Sequence, residues 1–198
     1  LYNVLVVDVE ATCWRRRNPP PGQRADIIEI GVTPVVMPGM IIKEGQSIYV
    51  TAERSSISGF CEELTGISQE FIDENGIPFS DACAKLEKEY SSCHSTLVTW
   101  GNWDRRQFRV QTYDQDVKFP FSLNHLNLQM WFSMVRGETE EHGLKAALNL
   151  IGMPFEGDHH SGKADAYNTA KLFVWVMSLN QMGMRKLRMD ELKSKHRR

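Results

Sequence analysis

Four acidic residues and a histidine are the side chains of this sequence best suited to chemistry: Asp8, Glu10, Asp104, His160 and Asp165. Asp8 and Glu10 follow the aliphatic run 4–7, which predicts a buried β-strand. Because side chains alternate across a strand, the two carboxylates point to one face. Their mutual repulsion is relieved by a hard divalent cation such as Mg²⁺ or Mn²⁺. An isolated Asp-x-Glu is more often a solvated strand end, so the other acids decide the interpretation.

The other two acids also stand at the ends of predicted elements. Asp104 follows a predicted strand, 96–100, and opens a helix, while Asp165 begins a long helix five residues after His160. Sites in α/β sheets gather at the carboxyl ends of strands. Four converging acids would hold two cations about 4 Å apart, as in enzymes of in-line phosphoryl chemistry. A neutral histidine accepts a proton from water near neutral pH.

The intervening sequence indicates a mixed α/β fold. The strand at the start and those at 27–32 and 47–50 have short connections, which predicts an antiparallel meander. Two short helices are expected within 60–71, because Gly66 interrupts the apolar spacing. Further helices are predicted from a cap at Ser80 to Tyr90, from Asp104, over 143–151 and after Asp165. The mixed pattern of 121–135 leaves its type open.

Composition narrows the class of protein. The 198 residues are 41% hydrophobic and 24% charged, which is typical of a soluble globular chain, and we predict one domain over 1–198. A net charge of −2 gives no overall basic field, although local patches decide nucleic-acid binding. Two such patches are candidates. The loop with Arg15, Arg16 and Arg17 is interpreted as a phosphate-binding edge or a solvated loop, and the basic helix or tail 181–198 as solubilising or functional.

The cysteines and the apolar runs predict a location. The four cysteines have neither C-x-x-C nor zinc spacing, which indicates reduced thiols. No apolar run reaches membrane-spanning length and none reads as a signal peptide, so an intracellular protein without membrane partners is expected, in the cytoplasm or alternatively in the nucleus.

Taken together, the motifs resemble the DEDDh family of 3′→5′ exonucleases, which is named for these five residues. The resemblance covers roughly residues 4–179 and is greatest for the Eri-type (enhancer of RNA interference) and KapD-like branch. The motifs that carry it are Asp8-Val9-Glu10-Ala11-Thr12-Cys13-Trp14, Ile27-Ile28-Glu29-Ile30, Phe60-Cys61-x-x-Leu64-Thr65-Gly66-Ile67, Gly101-Asn102-Trp103-Asp104 and His160-x-x-x-x-Asp165. Val9 stands where many relatives have Phe, a departure that removes no catalytic atom.

This resemblance implies a ribonuclease H-like fold, with a central mixed sheet of five to six strands flanked by helices. It implies two Mg²⁺ or Mn²⁺ ions held by Asp8, Glu10, Asp104 and Asp165. His160, favoured over His159 by its spacing to Asp165, would be the general base. The expected reaction releases nucleoside 5′-monophosphates from single-stranded RNA 3′ ends.

Similarity also suggests the substrate contacts. Trp103 would stack on a terminal base, Phe60 and Leu64 would line the nucleotide pocket, and the backbone at Ala11 and Thr12 would meet the terminal ribose. The alternative for Trp103, Phe60 and Leu64 is a place in the core.

Other functions stay open at this point. One is a DNA-preferring 3′→5′ exonuclease, and another is a catalytically silent nucleic-acid-binding or partner-binding module on the same fold. An endonuclease or transposase is a third, although such enzymes lack the His-x-x-x-x-Asp arrangement.

Overall fold

A six-stranded mixed sheet forms the centre of the molecule, in the strand order β3-β2-β1-β5-β6, with β4 also paired to β2. The computed structural model describes the backbone of residues 3–16 and 18–195 and the side chains of 4–16 and 18–179. The strands are β1 (Asn3–Ala11), β2 (Ile27–Val36), β3 (Ile41–Ile42), β4 (Gln46–Tyr49), β5 (Thr96–Thr99) and β6 (His125–Asn127). The first four pair antiparallel, whereas β5 and β6 add parallel strands, so the predicted mixed sheet is confirmed.

β1 lies at the middle of the sheet and is covered on both faces. Its aliphatic residues from Val4 to Val7 are buried, as expected for a strand without a solvent side. The strand continues to Ala11, so Asp8 and Glu10 lie within it, opposite Gly31 and Glu29 of β2. The backbone that carries both carboxylates is therefore fixed by pairing within the sheet.

Helices cover the sheet and connect its strands. They are α1 (Gly59–Thr65), α2 (Gln69–Asn75), α3 (Phe79–Tyr90), α4 (Trp103–Asp114), α5 (Leu128–Arg136), α6 (Leu144–Leu150) and α7 (Gly162–Lys195). Gly66 ends α1 with a φ of 72°, a left-handed conformation that glycine adopts readily, which confirms two short helices in this region. The predicted cap at Ser80 is wrong, because α3 begins at Phe79 directly after Pro78.

Two hydrophobic clusters lie on the two sides of the sheet. The first includes Phe79 of α3 and Phe108 of α4, and the second includes Phe132 of α5 and Phe173 of α7. The segment 121–135, whose secondary structure the sequence left open, contains β6 followed by α5. Asn127 caps the first turn of α5.

α7 contains both Asp165 and part of the predicted basic tail. Its backbone is helical to Lys195, while 196–198 and the tail's side chains lie outside the described residues. Within the described part, no helix combines the length and hydropathy that a membrane span requires. The four cysteines have free thiols, as predicted.

Candidate active site

Three of the four predicted ligand acids converge between β1 and the start of α7. One carboxylate oxygen each from Asp8, Glu10 and Asp165 lies within 4.8 Å of the others. Asp8 and Glu10 share one face of β1, as their spacing predicted, and Asp165 lies in the first turn of α7. Residues far apart in sequence thus form one oxygen-rich cluster.

Asp104 lies beside this cluster without joining the three-oxygen set. It is only 4% exposed, and its Oδ1 accepts a hydrogen bond of 3.1 Å from the backbone N–H of Val9. Val9 separates Asp8 from Glu10 in β1, so this bond fixes the start of α4 against the strand that carries the other acids. The fourth acid is therefore held beside the cluster by a contact with β1.

The four carboxyl groups are crowded and poorly solvated. Burial raises the pKa of Glu10 to about 9, that of Asp104 to about 7 and that of Asp165 to about 6. Burial also raises the pKa of Asp8 well above its usual range, and the neighbouring carboxylates raise it further. No described lysine or arginine forms an ion pair with any of the four.

These residues fit a hard divalent cation. Asp165 Oδ1 is buried without a hydrogen-bond partner among the described residues, which is unusual for a carboxylate oxygen. The donors are all oxygens, which suit Mg²⁺ and Mn²⁺. A cation would supply the positive charge that the surrounding protein does not.

Cation binding should strengthen as the pH rises. Protons occupy Asp165 below about pH 6 and Glu10 below about pH 9, so a cation must displace them. We expect the dissociation constant for Mn²⁺ to fall about tenfold per pH unit for each proton displaced. Calorimetric titration in buffers of different ionisation enthalpy measures both the affinity and the protons released. Affinity that is constant between about pH 6 and about pH 8 would contradict this description of the site.

Two histidines lie at the edge of the cluster next to Asp165. The rings of His159 and His160 stack with centroids 4.1 Å apart, and one nitrogen of each lies within 4.8 Å of an Asp165 oxygen. Burial lowers the pKa of both histidines, which favours the neutral form that accepts protons. The structure therefore brings both histidines to the site, whereas the sequence favoured His160 alone.

The backbone at His160 is also unusual. Its φ of 65° lies in the left-handed region, which non-glycine residues seldom occupy. Such conformations are retained where the surrounding structure enforces them, often at functional sites. Here His160 is the second residue before α7, and its N–H donates a hydrogen bond of 2.9 Å to His159 Nδ1.

Glu29 is a residue of this site to which the sequence assigned no role. It is 2% exposed, and its carboxylate accepts hydrogen bonds from the backbone N–H groups of Gly162 at 3.0 Å and Lys163 at 3.2 Å. These N–H groups belong to the first turn of α7, where helices lack internal partners. Ser47 Oγ donates a third bond of 2.6 Å. The feature of the sequence that could have pointed to Glu29 is its place as a carboxylate within an otherwise apolar predicted strand.

Glycines allow α7 to approach β2 this closely. A Cβ added at Gly31 would lie 1.9 Å from the carbonyl carbon and oxygen of Gly162, so no side chain fits there. Gly31 pairs with Asp8 in the sheet. The two glycines thus let the start of α7 rest directly on the backbone beside the acids.

The predicted substrate contacts lie around the end of β1. Ala11 and Thr12 are buried, and the Thr12 hydroxyl accepts a hydrogen bond from the Asp26 N–H at 2.9 Å, so this side chain stabilises the loop. Cys61 Sγ contacts the Ala11 carbonyl at 3.6 Å, which brings α1, and with it Phe60 and Leu64, to the same end of the strand. Leu64 is partly exposed and lies outside the hydrophobic core.

Trp103 and the arginine loop border the same region. Trp103 is 52% exposed and lines a groove of about 580 Å³, so its place is at the surface and not in the core. In the loop, the Arg15 guanidinium lies 5.2 Å from the centre of the Phe60 ring and 3.5 Å from the Glu63 carboxylate. Arg17 lies outside the described residues.

Comparison with known proteins agrees with this geometry. The family model described as Exonuclease matches residues 5–173. ERI1 exoribonuclease 2 of Xenopus laevis is 31% identical over 193 residues, which cover 85% of this chain and 27% of that protein. The probable 3′-5′ exonuclease KapD of Bacillus subtilis is 27% identical over 175 residues, with 88% and 84% covered. The chain thus spans well under half of the Xenopus relative.

Among solved structures, the chain is similar to the nuclease domain of 3′hExo, a DEDDh family member bound to rAMP. The two share a TM-score of 0.76 and 26% identity, over 89% of this chain and 92% of that one. The ribonuclease H-like fold predicted from the motifs is thereby confirmed. The chain belongs to the exonuclease family and, by its motifs and its fold, to the DEDDh group within it.

Proposed function

We propose that this chain is a metal-dependent 3′→5′ exonuclease that releases nucleoside 5′-monophosphates from the 3′ ends of single-stranded RNA. The observation that carries the proposal is the convergence of Asp8, Glu10 and Asp165, with Asp104 beside them and two histidines at the edge. The Xenopus relative is named an exoribonuclease, which favours RNA over DNA as the substrate.

In this proposal the acids Asp8, Glu10, Asp104 and Asp165 hold two Mg²⁺ or Mn²⁺ ions. Bound there, the ions would lower the pKa of a water molecule and neutralise charge on the scissile phosphate. His160, in its neutral form, accepts the proton of the attacking water. The water oxygen bonds to phosphorus while the bond to the upstream 3′ oxygen breaks, so the released nucleotide keeps its 5′-phosphate.

The surroundings of the acids suit an unpaired strand end. Trp103 at the start of α4 and Phe60 and Leu64 on α1 offer surfaces on which bases can stack or pack. The backbone at Ala11 and Thr12, at the end of β1, is the proposed neighbour of the terminal ribose. A contact to the 2′-hydroxyl there would select RNA.

The substrate class is tested with RNA and DNA oligomers of one sequence, labelled at the 5′ end, with Mg²⁺, Mn²⁺ or EDTA. We expect RNA to shorten stepwise from its 3′ end in either metal and to stay intact in EDTA. Faster shortening of the DNA would replace RNA by DNA in the proposal. Cleavage of a circular strand would instead identify an endonuclease.

Removing Glu29 should weaken the site without touching the predicted ligands. Glu29→Ala leaves the first N–H groups of α7 without their acceptor, so Asp165 loses a fixed position. Loss of such a supporting group typically costs about 10–100-fold in metal affinity or activity. We expect this loss in Mn²⁺ affinity and partial recovery of activity at high Mn²⁺.

The matched control for Glu29 is Ser47→Ala. It removes one hydrogen bond to the same carboxylate while the two bonds to α7 remain. We expect nearly unchanged Mn²⁺ affinity in this control. Unchanged affinity in Glu29→Ala itself would show that Glu29 does not position Asp165.

A further inference from the structure

α4 has a row of exposed side chains outside the carboxylate cluster; one of them, Arg109, has its guanidinium 5.1 Å from the centre of the Phe119 ring. We call this row the α4 strip; it consists of Trp103, Arg106, Arg109, Val110 and Tyr113. Residues spaced by three and four lie on one side of a helix, so these five share a face. The opposite side of α4 contains the buried Asp104, Phe108 and Gln111. The strip therefore begins beside a predicted metal ligand and leads away from it.

The strip is basic although the whole chain has a net charge of −2. Arg106, Arg109 and the adjacent Arg105 form no ion pair with a carboxylate in the described part of the chain. α4 contains two acids: Asp104 belongs to the carboxylate cluster, and Asp114 is neutralised by Arg24 and Arg54, each at 2.7 Å. The charge of the strip is thus available to an external anion.

Two recesses adjoin the strip, and the first extends along it from Trp103 to Asp114. The first is the groove of about 580 Å³ that Trp103 and Arg106 line. The second, of about 520 Å³, is lined by Arg109, Tyr113 and Leu123, with the acid Asp116 also in its wall. Tyr113 is 87% exposed and Leu123 is 82% exposed, so an apolar surface faces solvent there.

We propose that the α4 strip binds the substrate strand upstream of its 3′-terminal nucleotide, with backbone phosphates on Arg106 and Arg109 and a base against Tyr113. Basic side chains interleaved with aromatic ones are the pattern that binds single strands without sequence preference. From Trp103 to Tyr113 the helix rises about 15 Å, which matches about four nucleotides at a stacked spacing of ~3.4 Å. This inference rests on the proposed function. It adds to that function a preference for strands that extend upstream of the 3′-terminal nucleotide along the α4 strip.

The test compares the wild type with the Arg106→Gln/Arg109→Gln double variant on a dinucleotide and on an RNA of about 12 nucleotides. The measured quantity is the ratio of kcat/KM on the long strand to that on the dinucleotide. We expect the wild type to favour the long strand and the double variant to lower the ratio about tenfold, because two phosphate contacts are lost. The slope of log affinity against log salt should fall by about 1.4, at ~0.7 for each contact.

The control variant, Lys43→Gln/Lys88→Gln, removes the same charge from exposed residues beside β3 and on α3. It should keep the ratio and the salt slope of the wild type. An unchanged ratio in the arginine variant, or an equal loss on both substrates, would overturn the proposal. Fluorescence anisotropy of the labelled long RNA in EDTA measures binding without hydrolysis. Weaker binding by the arginine variant than by the wild type supports strand binding by the α4 strip, even if the wild type hydrolyses no RNA. Absence of hydrolysis by the wild type refutes the proposed function alone.

Discussion

Replacing Asp8 by Asn should reduce RNA hydrolysis by at least about 10³-fold, a loss of ~4 kcal/mol of transition-state stabilisation. Asp8 and Glu10 share one face of β1, and their oxygens lie within 4.8 Å of an Asp165 oxygen. The substitution preserves the size of the side chain but removes an anionic ligand. Single-turnover rates at saturating Mg²⁺ measure the effect.

The same substitution should stabilise the metal-free protein. Because the carboxyl pKa values are raised on folding, the folded protein binds protons that the unfolded chain releases. The free energy of unfolding therefore falls as the pH rises above about 4, the ordinary carboxyl pKa, toward the raised values. At about pH 8 we expect the Tm of Asp8→Asn to exceed that of the wild type by roughly 2–4 °C, the shift for ~1 kcal/mol.

The matched control is Asp158→Asn, which removes an exposed acid close in sequence to the histidines but outside the cluster. It should retain wild-type rates and Tm. If Asp8→Asn hydrolysed RNA at the rate of this control, Asp8 would not be a ligand and the two-metal proposal would fail.

His160→Ala should lower kcat by about 10²–10⁴-fold, the usual contribution of a general base. Its affinity for Mn²⁺ should stay close to that of the wild type, because the carboxylates are intact. The acid side of the pH–rate profile should also lose the step caused by protonation of the histidine. Rates at saturating metal, followed across pH, separate this effect from a change in metal binding.

His159→Ala is the comparison that decides which histidine is the base. The structure places both rings next to Asp165, and the His159 Nδ1 lies 3.5 Å from Asp165 Oδ1. We expect the loss in His159→Ala to be much smaller than the loss in His160→Ala. A larger loss would transfer the role of base to His159 and leave His160 as its stacking partner.

The sequence predicted features that depend on local periodicity. Asp8 and Glu10 share a face because strand side chains alternate, and this could be read from two residues. The two short helices α1 and α2 followed from Gly66, whose left-handed backbone ends α1. The resemblance to the DEDDh motifs then supplied the expectation that distant acids meet.

The sequence did not predict features that depend on packing between distant segments. The contact of Glu29 with Gly162 joins residues 133 apart and exists because Gly31 lets α7 reach β2. β6 has three residues, too few for a periodic pattern, and it is a strand because it pairs with β5. His159 lies at the site with its ring stacked on that of His160, an arrangement that the spacing to Asp165 does not reveal.

The most direct test of the central claim is the identity of the product released from an RNA labelled in its 3′-terminal nucleotide. Chromatography with mass detection resolves nucleoside 5′-monophosphate, 3′-monophosphate, nucleoside and longer fragments. The proposed function predicts nucleoside 5′-monophosphate with Mg²⁺ or Mn²⁺ and no release in EDTA. Release of a 3′-monophosphate or of internal fragments, or equal release in EDTA, would contradict the account.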